Sequence, residues 1–176
     1  MTGLVLGLKV APMIHESSGK IVPWITKNGC LDPGKFPIEG VLQQTLEADQ
    51  NIFHSGVRML EMMYGHGRKE AGVFLLGLLA ASDDDWERCE IIVDALGQVR
   101  TAACARLLFA ELRRVESSNT TRRYLNAVIE RLAAMPPELV DDGFDALAHD
   151  PAFSYRMRSK FKEALNRGQD FPTDWL

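Results

Sequence analysis

From Ile38 onward, apolar residues recur every three or four positions, which is the period of an α-helix. The pattern is interrupted at residues that commonly end or begin helices: Gly65, the run Ser82–Asp85 and the pair Pro136-Pro137. Glycine tolerates the backbone beyond a helix end, Ser and Asp cap exposed N–H groups, and Pro fits the first turn. The pattern predicts eight helices, at about 38–50, 52–64, 69–81, 86–96, 101–115, 121–134, 137–149 and 152–166.

The apolar spacing also repeats at a longer period of about 34 residues. A small residue follows an apolar one at Tyr64-Gly65, Leu96-Gly97 and Leu132-Ala133, and Leu76, Leu108 and Phe144 come 11 positions after the small residue. A repeat of this length with two helix-length apolar segments is typical of stacked helix pairs. The predicted fold class is all-α, a short right-handed solenoid of antiparallel helix pairs.

The two ends of the chain differ from this repeat and are predicted to cap it. Residues 1–37 contain the β-prone runs Leu4–Val10 and Ile21–Thr26, which predict a hairpin or a pair of extended segments. Two strands cannot bury a core alone, so we expect the segment to cover the first repeat. Residues 38–168 then form the helical-repeat domain. The apolar tail 169–176 packs back as a second cap, or is a linear motif for a partner; the whole chain is a single domain.

Composition and charge exclude several classes of protein. Apolar residues make up 46% and charged residues 25% of the chain, as in ordinary globular proteins. The net charge is -4, and it is divided unequally: residues 1–99 carry 8 Lys/Arg against 13 Asp/Glu, and residues 100–176 carry 12 against 11. This balance disfavours a dedicated nucleic-acid binder but allows a basic surface in the second half.

The beginning of the chain and its cysteines bear on location. The first ten residues lack the cationic start and the cleavage site of a signal peptide and are too short to span a membrane. The three cysteines form no C-x-x-C pair, and Cys89 and Cys104 fall within apolar helical patterns, where a buried thiol is expected. We therefore expect a cytoplasmic protein without membrane contact.

Residues 83–113 resemble a HEAT-type repeat. The resemblance is carried by an acidic helix start with an arginine (Asp84–Arg88), the ending Asp94-Ala95-Leu96-Gly97, and the leucine-rich second helix Arg106–Leu112. It implies stacked helix pairs that most often bind proteins. Some HEAT-like proteins are DNA glycosylases, and others are lyases that attach bilins to light-harvesting proteins. The resemblance implies no catalytic residue in this chain.

The chain contains no phosphate-binding loop, nucleophile elbow or clustered metal ligands, so we predict no catalytic residue, cofactor or metal. Two basic stretches stand out. The stretch Tyr64–Glu70 precedes a helix and could bind an anion, or its glycines could only shape a turn. Arg122 and Arg123 oppose the dipole of the helix they begin, and nearby hydroxyls could help them hold a phosphate. We favour instead ion pairs between these arginines and Asp83–Asp85.

Charged residues collect at the predicted turns and on a few helix faces, including cations along the last helix that are interpreted as solvated. The candidate binding residues are His66, Arg68, Lys69, Arg100, Arg106, Arg113, Arg122 and Arg123. The favoured function is a non-catalytic scaffold for a protein partner. The alternatives are a nucleic-acid-binding protein similar to DNA glycosylases and a lyase-like enzyme that handles a bulky cofactor or pigment. A continuous basic strip would favour nucleic acid, and a mixed surface with an apolar patch would favour protein.

Overall fold

Every regular element between residues 23 and 167, the part of the chain that the computed structural model describes, is a helix. The α-helices are α1 (Ile38–Gln44), α2 (Gln50–Gly65), α3 (Lys69–Ala81), α4 (Trp86–Ala95), α5 (Ala102–Arg114), α6 (Arg122–Ala133), α7 (Pro137–His149) and α8 (Tyr155–Arg167). A 3₁₀ turn, Leu96–Gln98, follows α4. The all-α fold class is therefore confirmed for the described residues.

The hairpin predicted at the N-terminus, between Leu4–Val10 and Ile21–Thr26, stays a prediction. Between Pro23 and Pro37 the chain makes turns and one isolated antiparallel bridge, between Ile25 and Leu31. The chain reverses between these two residues at Asn28-Gly29, where Gly29 has a φ of 75°. The run Leu4–Val10 and the tail 169–176 lie outside the described residues.

Local capping explains which helix starts could be predicted. The Asp85 carboxylate accepts a hydrogen bond from the Arg88 N–H at 3.1 Å, and the Thr101 hydroxyl accepts one from the Cys104 N–H at 3.2 Å. The first predicted helix was too long. Asp49 does not extend α1; its carboxylate accepts from the N–H groups of Asn51 (2.8 Å) and Ile52 (3.1 Å) and so starts α2.

Two rows of helices enclose the core. In the even row, α2 contacts α4, α4 contacts α6 and α6 contacts α8; in the odd row, α3 contacts α5 and α5 contacts α7. Between the rows, α3 packs on both α2 and α4, α5 packs on α6, and α7 packs on α8. One apolar core runs between the rows, and the Phe144 ring at its C-terminal end lies 5.4 Å from Phe109 and 6.4 Å from Phe161.

Arginines fasten neighbouring helices of the even row to one another. Arg88 of α4 donates to the carbonyl oxygens of Glu47 (2.8 Å) and Ala48 (2.9 Å), just before α2. Its guanidinium also lies 4.4 Å from the centre of the Phe53 ring. Arg131 of α6 donates to the carbonyl oxygens of Val93 (3.2 Å) and Asp94 (3.1 Å) at the end of α4. These charge-assisted hydrogen bonds tie a loop carbonyl pair before α2 and a carbonyl pair at the end of α4 to the neighbouring helix of the row.

The three cysteines are expected to differ sharply in reactivity. Cys89 and Cys104 are buried, as the apolar pattern predicted, and Cys30 is exposed. A thiol reacts as its thiolate, and burial raises the pKa of Cys89 and of Cys104 to about 11. With 5,5′-dithiobis(2-nitrobenzoate) at pH 8, we expect one fast thiol per folded chain and three after unfolding in guanidinium chloride. In a Cys30→Ala variant, a fast thiol would contradict this assignment.

Candidate functional site

The eight binding residues predicted from the sequence do not form one site. They are distributed over the α2–α3 turn (His66, Arg68, with Lys69 beginning α3), the α4–α5 turn (Arg100), the exposed side of α5 (Arg106, Arg113) and the start of α6 (Arg122, Arg123). The first two turns adjoin, since a Cβ atom on Gly65 would lie 3.0 Å from the Gln98 side chain. Arg100, in contrast, lies just before α5, and Arg113 lies in the last turn of α5. The helix between them spans about 20 Å at 1.5 Å per residue.

Arg68 makes an ion pair and a hydrogen bond to other residues of the chain. The Arg68 Nε lies 2.7 Å from a Glu70 carboxylate oxygen, and another nitrogen of the same guanidinium donates to the Phe36 carbonyl. The hydrogen bond from Arg68 lowers the pKa of Glu70. Arg68 therefore attaches the segment before α1 to the start of α3, and this structural role accounts for its position.

The predicted ion pairs between Asp83–Asp85 and the arginines of α6 are not formed. Asp85 instead pairs with Arg88 at 3.4 Å, and Arg122 donates to the Asn119 amide oxygen at 2.6 Å. Arg123 does pair with α4, but with Glu90 at 3.0 Å. The reason is the alignment of the two helices: α6 lies against the body of α4, so its first turn faces Glu90 and not the preceding loop.

A groove of about 510 Å³ lies between α4 and α6 and is called the α4–α6 groove. Trp86, Ile91 and Tyr124 supply its apolar floor. Its rim is charged, with Glu87, Glu90 and Asp94 on α4 and Arg123 on α6. The three acidic positions share one side of α4, because they are spaced by three and four residues. Arg123 pairs with Glu90 and Arg131 lies 3.8 Å from Asp94, whereas Glu87 makes no ion pair within residues 23–167.

A buried polar cluster holds the floor of this groove in place. The Glu111 side chain, only 6% exposed, accepts hydrogen bonds from two Arg114 nitrogens (3.0 and 2.7 Å) and from the Tyr124 hydroxyl (2.7 Å). The Tyr124 ring in turn lies 5.5 Å from the Trp86 ring, with Arg114 5.7 Å from that ring's centre. We call these four residues the Glu111 cluster.

The Glu111 cluster also fixes the protonation states of Tyr124 and Arg114. Burial and the hydrogen bond to Glu111 raise the pKa of Tyr124 well above its usual value, and the hydrogen bond to Glu111 raises that of Arg114. Tyr124 is therefore a neutral donor and Arg114 a permanent cation. Sequence reasoning missed the cluster because Glu111 lies within a leucine-rich run; the spacing of three between Glu111 and Arg114 was the only local signal.

A second groove lies where the α5–α6 loop meets the α7–α8 loop and is called the basic groove. It consists of two adjoining cavities, of about 220 and 440 Å³, that share Ser117, Leu125, Ser154 and Met157. The smaller cavity is its basic end and is lined further by Arg122, Asn126, Arg156 and Lys160. The larger cavity is its apolar end and is lined by Leu112, Val115 and Phe153, beside Arg113, Arg114 and Glu116.

The loop that carries Ser117 into the basic groove is held by its own side chains. Thr121 is 6% exposed, and its hydroxyl donates to the Glu116 carbonyl at 2.7 Å and accepts from the Ser118 N–H at 2.9 Å. These bonds order the turn immediately before α6. The positions of Ser117 and Arg122 relative to α8 therefore follow from the fold of the loop.

The outer surface of the odd row is mixed in character. On α3, Val73 is 68% and Phe74 39% exposed, and no described residue covers them. The next helix, α5, exposes Arg106 and Arg113, and α7 exposes a row of acids: Glu138, Asp141, Asp142 and Asp145. Within residues 23–167 the cations of α5 thus lie between an apolar and an acidic helix, and they form no continuous strip for a nucleic-acid backbone.

Comparison of the chain with protein-family models, with curated proteins and with solved structures gives no match. The resemblance of residues 83–113 to a HEAT-type repeat therefore stays a prediction. Among the described side chains, no three His, Cys, Asp or Glu come together in a group that could hold a metal ion. Over the same range, no helix is both long and apolar enough to cross a membrane.

Proposed function

We propose that the chain is a binding scaffold that holds a segment of a protein partner in the α4–α6 groove. The observation that supports this is the combination of an apolar floor, supplied by Trp86 and Ile91, with a rim of carboxylates. Binding energy in protein interfaces concentrates on apolar and aromatic anchors, and a charged rim selects and steers the partner. The partner segment would insert an apolar side chain over Ile91 and place Lys or Arg beside Glu87.

The rigidity of the floor adds to this proposal. The Tyr124 and Trp86 rings are held by the Glu111 cluster before any partner arrives. A preformed surface loses little conformational entropy on binding, so more of the contact energy contributes to affinity. The Arg123–Glu90 pair leaves Glu87 as the rim carboxylate most available to a cation of the partner.

The helical-repeat arrangement belongs to the same proposal. The two rows of helices support a short solenoid, in which α3 packs on both α2 and α4, α5 packs on α6, and α7 packs on α8. The pair α2/α3 coincides with the first unit predicted from the sequence, whereas α5/α6 and α7/α8 are offset by one helix from the predicted units α4/α5 and α6/α7. The cap role of residues 1–37 is supported by Phe36, which packs against the apolar core and whose carbonyl accepts a hydrogen bond from Arg68. Both contacts attach the end of this segment to the helical domain.

Peptide selection on the full-length chain tests the α4–α6 groove. From a phage-displayed library of random peptides, we expect enriched sequences that combine an apolar anchor with Lys or Arg. An Ile91→Arg change should weaken their binding at least about tenfold, because it blocks the floor and repels cations, and Glu87→Lys should act in the same direction. Binding is measured by fluorescence anisotropy with synthetic peptides.

The matched control for Glu87→Lys is Asp142→Lys, which also replaces an acidic residue by lysine but lies on the exposed side of α7, away from the groove. It should leave peptide affinity within about twofold of wild type. Thermal melts followed by circular dichroism confirm that each variant is folded. Enrichment of acidic peptides, absence of enrichment, or equal binding to Ile91→Arg and wild type would each contradict the proposal.

A further inference from the structure

We propose that the basic groove binds a phosphate monoester whose ester group is apolar or aromatic. This groove shares no lining residue with the α4–α6 groove, so the inference stands independently of the proposed function. It also combines two of the predicted binding residues, Arg113 and Arg122, with Arg156 and Lys160 of α8.

Three cations converge on the basic end without any carboxylate to neutralise them. Arg122 comes from α6, and Arg156 and Lys160 are one turn apart on α8; no acidic residue lines this end. Within residues 23–167, none of the three forms an ion pair. Arg122 and Lys160 are held instead by neutral amide oxygens, those of Asn119 (2.6 Å) and Asn126 (2.5 Å). These bonds orient the cations without neutralising them. Lys160 also borders a neighbouring cavity with Glu130 and Glu163, whereas Arg122 and Arg156 share no cavity with a carboxylate of the described chain.

Helix electrostatics does not explain these cations. Arg122 is the first residue of α6, and Arg156 is the second residue of α8. A cation in the first turn opposes the helix dipole, and so each of them is unfavourable in the unliganded fold. A dianion bound between them would reverse the sign of this local interaction.

The number of charges and donors fits a phosphate better than a carboxylate. A phosphate monoester carries nearly two negative charges at pH 7 and three acceptor oxygens. Ser117 and Ser154 place two hydroxyls in the same cavity. The Ser154 oxygen accepts from the Met157 N–H at 3.3 Å, so its O–H remains available to donate to a ligand. A carboxylate, with one charge and two oxygens, would leave part of this set unused.

The apolar end indicates that the ligand is an ester and not inorganic phosphate. Leu112, Val115 and Phe153 line the adjoining cavity of about 440 Å³, and this volume is within the usual range for small organic ligands. Arg113 borders the same cavity. A ligand with its phosphate among Arg122, Arg156 and Lys160 would therefore extend its apolar group over Phe153.

Titration calorimetry with three probes tests the assignment on the full-length chain. At pH 7.5 we expect phenyl phosphate to bind more tightly than inorganic phosphate, which lacks the apolar group, and far more tightly than benzoate, which lacks the second charge. Affinity for phenyl phosphate should fall as the pH is lowered through about 6, where the ester loses its second charge. Comparison of a nucleoside monophosphate with a phosphotyrosine peptide then shows whether the ester comes from a small molecule or from a protein.

Single charge removals locate the site. Arg156→Gln and Lys160→Gln should each weaken phenyl phosphate at least about tenfold, as expected for a charged hydrogen bond. Lys162→Gln is the matched control, because it removes the same charge from α8 but lies at a different cavity, and it should change affinity less than about twofold. Absence of saturable binding, equal binding to Lys160→Gln, or equal affinity for benzoate would overturn the proposal. None of these results would affect peptide binding in the α4–α6 groove.

Discussion

An Arg114→Ala variant is expected to unfold with a free energy about 3 kcal/mol lower than that of the wild type. Arg114 supplies two of the three side-chain hydrogen bonds that the buried Glu111 carboxylate accepts. Without Arg114, a carboxylate that is 6% exposed keeps only the Tyr124 hydroxyl as a side-chain donor. Arg114 itself is 45% exposed, so water replaces part of the loss and the expected value lies at the low end for a broken buried pair.

Urea denaturation followed by circular dichroism measures this loss. Arg113→Ala is the matched control, because Arg113 is the preceding residue, is exposed and makes no ion pair within the described chain. It should change the free energy by less than about 0.5 kcal/mol. A triple variant, Glu111→Leu/Arg114→Met/Tyr124→Phe, should regain most of the stability, since no buried polar group is left unpaired. If Arg114→Ala were as stable as Arg113→Ala, the Glu111 cluster would not contribute to folding.

The same variant links stability to the proposed function. Arg114 lies beside the Trp86 ring, and Glu111 holds the Tyr124 hydroxyl, so both floor rings of the α4–α6 groove depend on the cluster. We expect peptides selected on the wild type to bind Arg114→Ala more weakly under conditions in which the variant is fully folded. The cluster would then act as a positioning element for the groove.

Helices and their boundaries could be predicted from the sequence where the signal is local. The starts of α4 and α5 depend on Asp85 and Thr101, each of which caps an N–H group three residues ahead. Asp49 shows the limit of such signals. An aspartate near the boundary of two apolar stretches fits the end of one helix or the start of the next, and only the hydrogen bonds to Asn51 and Ile52 decide between them.

Contacts between distant residues could not be predicted in this way. Glu111 and Tyr124 are 13 positions apart, and Arg123 and Glu90 are 33 positions apart. Their pairing depends on how α4, α5 and α6 lie against one another, and the apolar period carries no information on that alignment. The preference for pairs between Arg122, Arg123 and the Asp83–Asp85 loop was wrong for this reason: it assumed that equivalent loops adjoin.

The basic groove shows the same division between local pattern and packing. Its serines, Ser117 and Ser154, belong to loops separated by two helices, so their proximity follows from packing alone. The cations of α8 were interpreted as a solvated face. Packing of α8 divides them: Arg156 and Lys160 line the basic groove, whereas Arg158 and Lys162 line a separate cavity. The sequence shows that α8 is basic, and the packing of α8 shows that only Arg156 and Lys160 can contact one ligand in the basic groove.

Raising the pH from 9 to 11 is expected to remove about 4 kcal/mol of stability. Cys89 and Cys104 are 0% exposed, and burial raises the pKa of each thiol from 9.0 to about 11. In the unfolded chain the thiols ionise above pH 9, whereas in the folded chain they stay neutral until about pH 11. Their contribution is therefore complete below pH 9 and is largely lost as the pH rises through 11, with a loss of about 2 kcal/mol for each thiol between pH 9 and pH 11.

Urea denaturation at pH 8, 9, 10 and 11 measures this alkaline loss, and alanine variants assign it. In Cys30→Ala the free energy of unfolding should decrease with pH as steeply as in the wild type, because Cys30 is exposed. The double variant Cys89→Ala/Cys104→Ala should have a lower free energy of unfolding at pH 8, because the substitutions leave two small cavities. This free energy should then decrease much less with rising pH than that of the wild type. Above pH 10 the free energy of unfolding of this double variant should still decrease with pH. The reason is that the raised pKa of Tyr124 keeps its hydroxyl neutral in the folded chain, while the same hydroxyl ionises in the unfolded chain. Parallel curves for the wild type and the double variant would show that burial of the two thiols does not cause the alkaline loss.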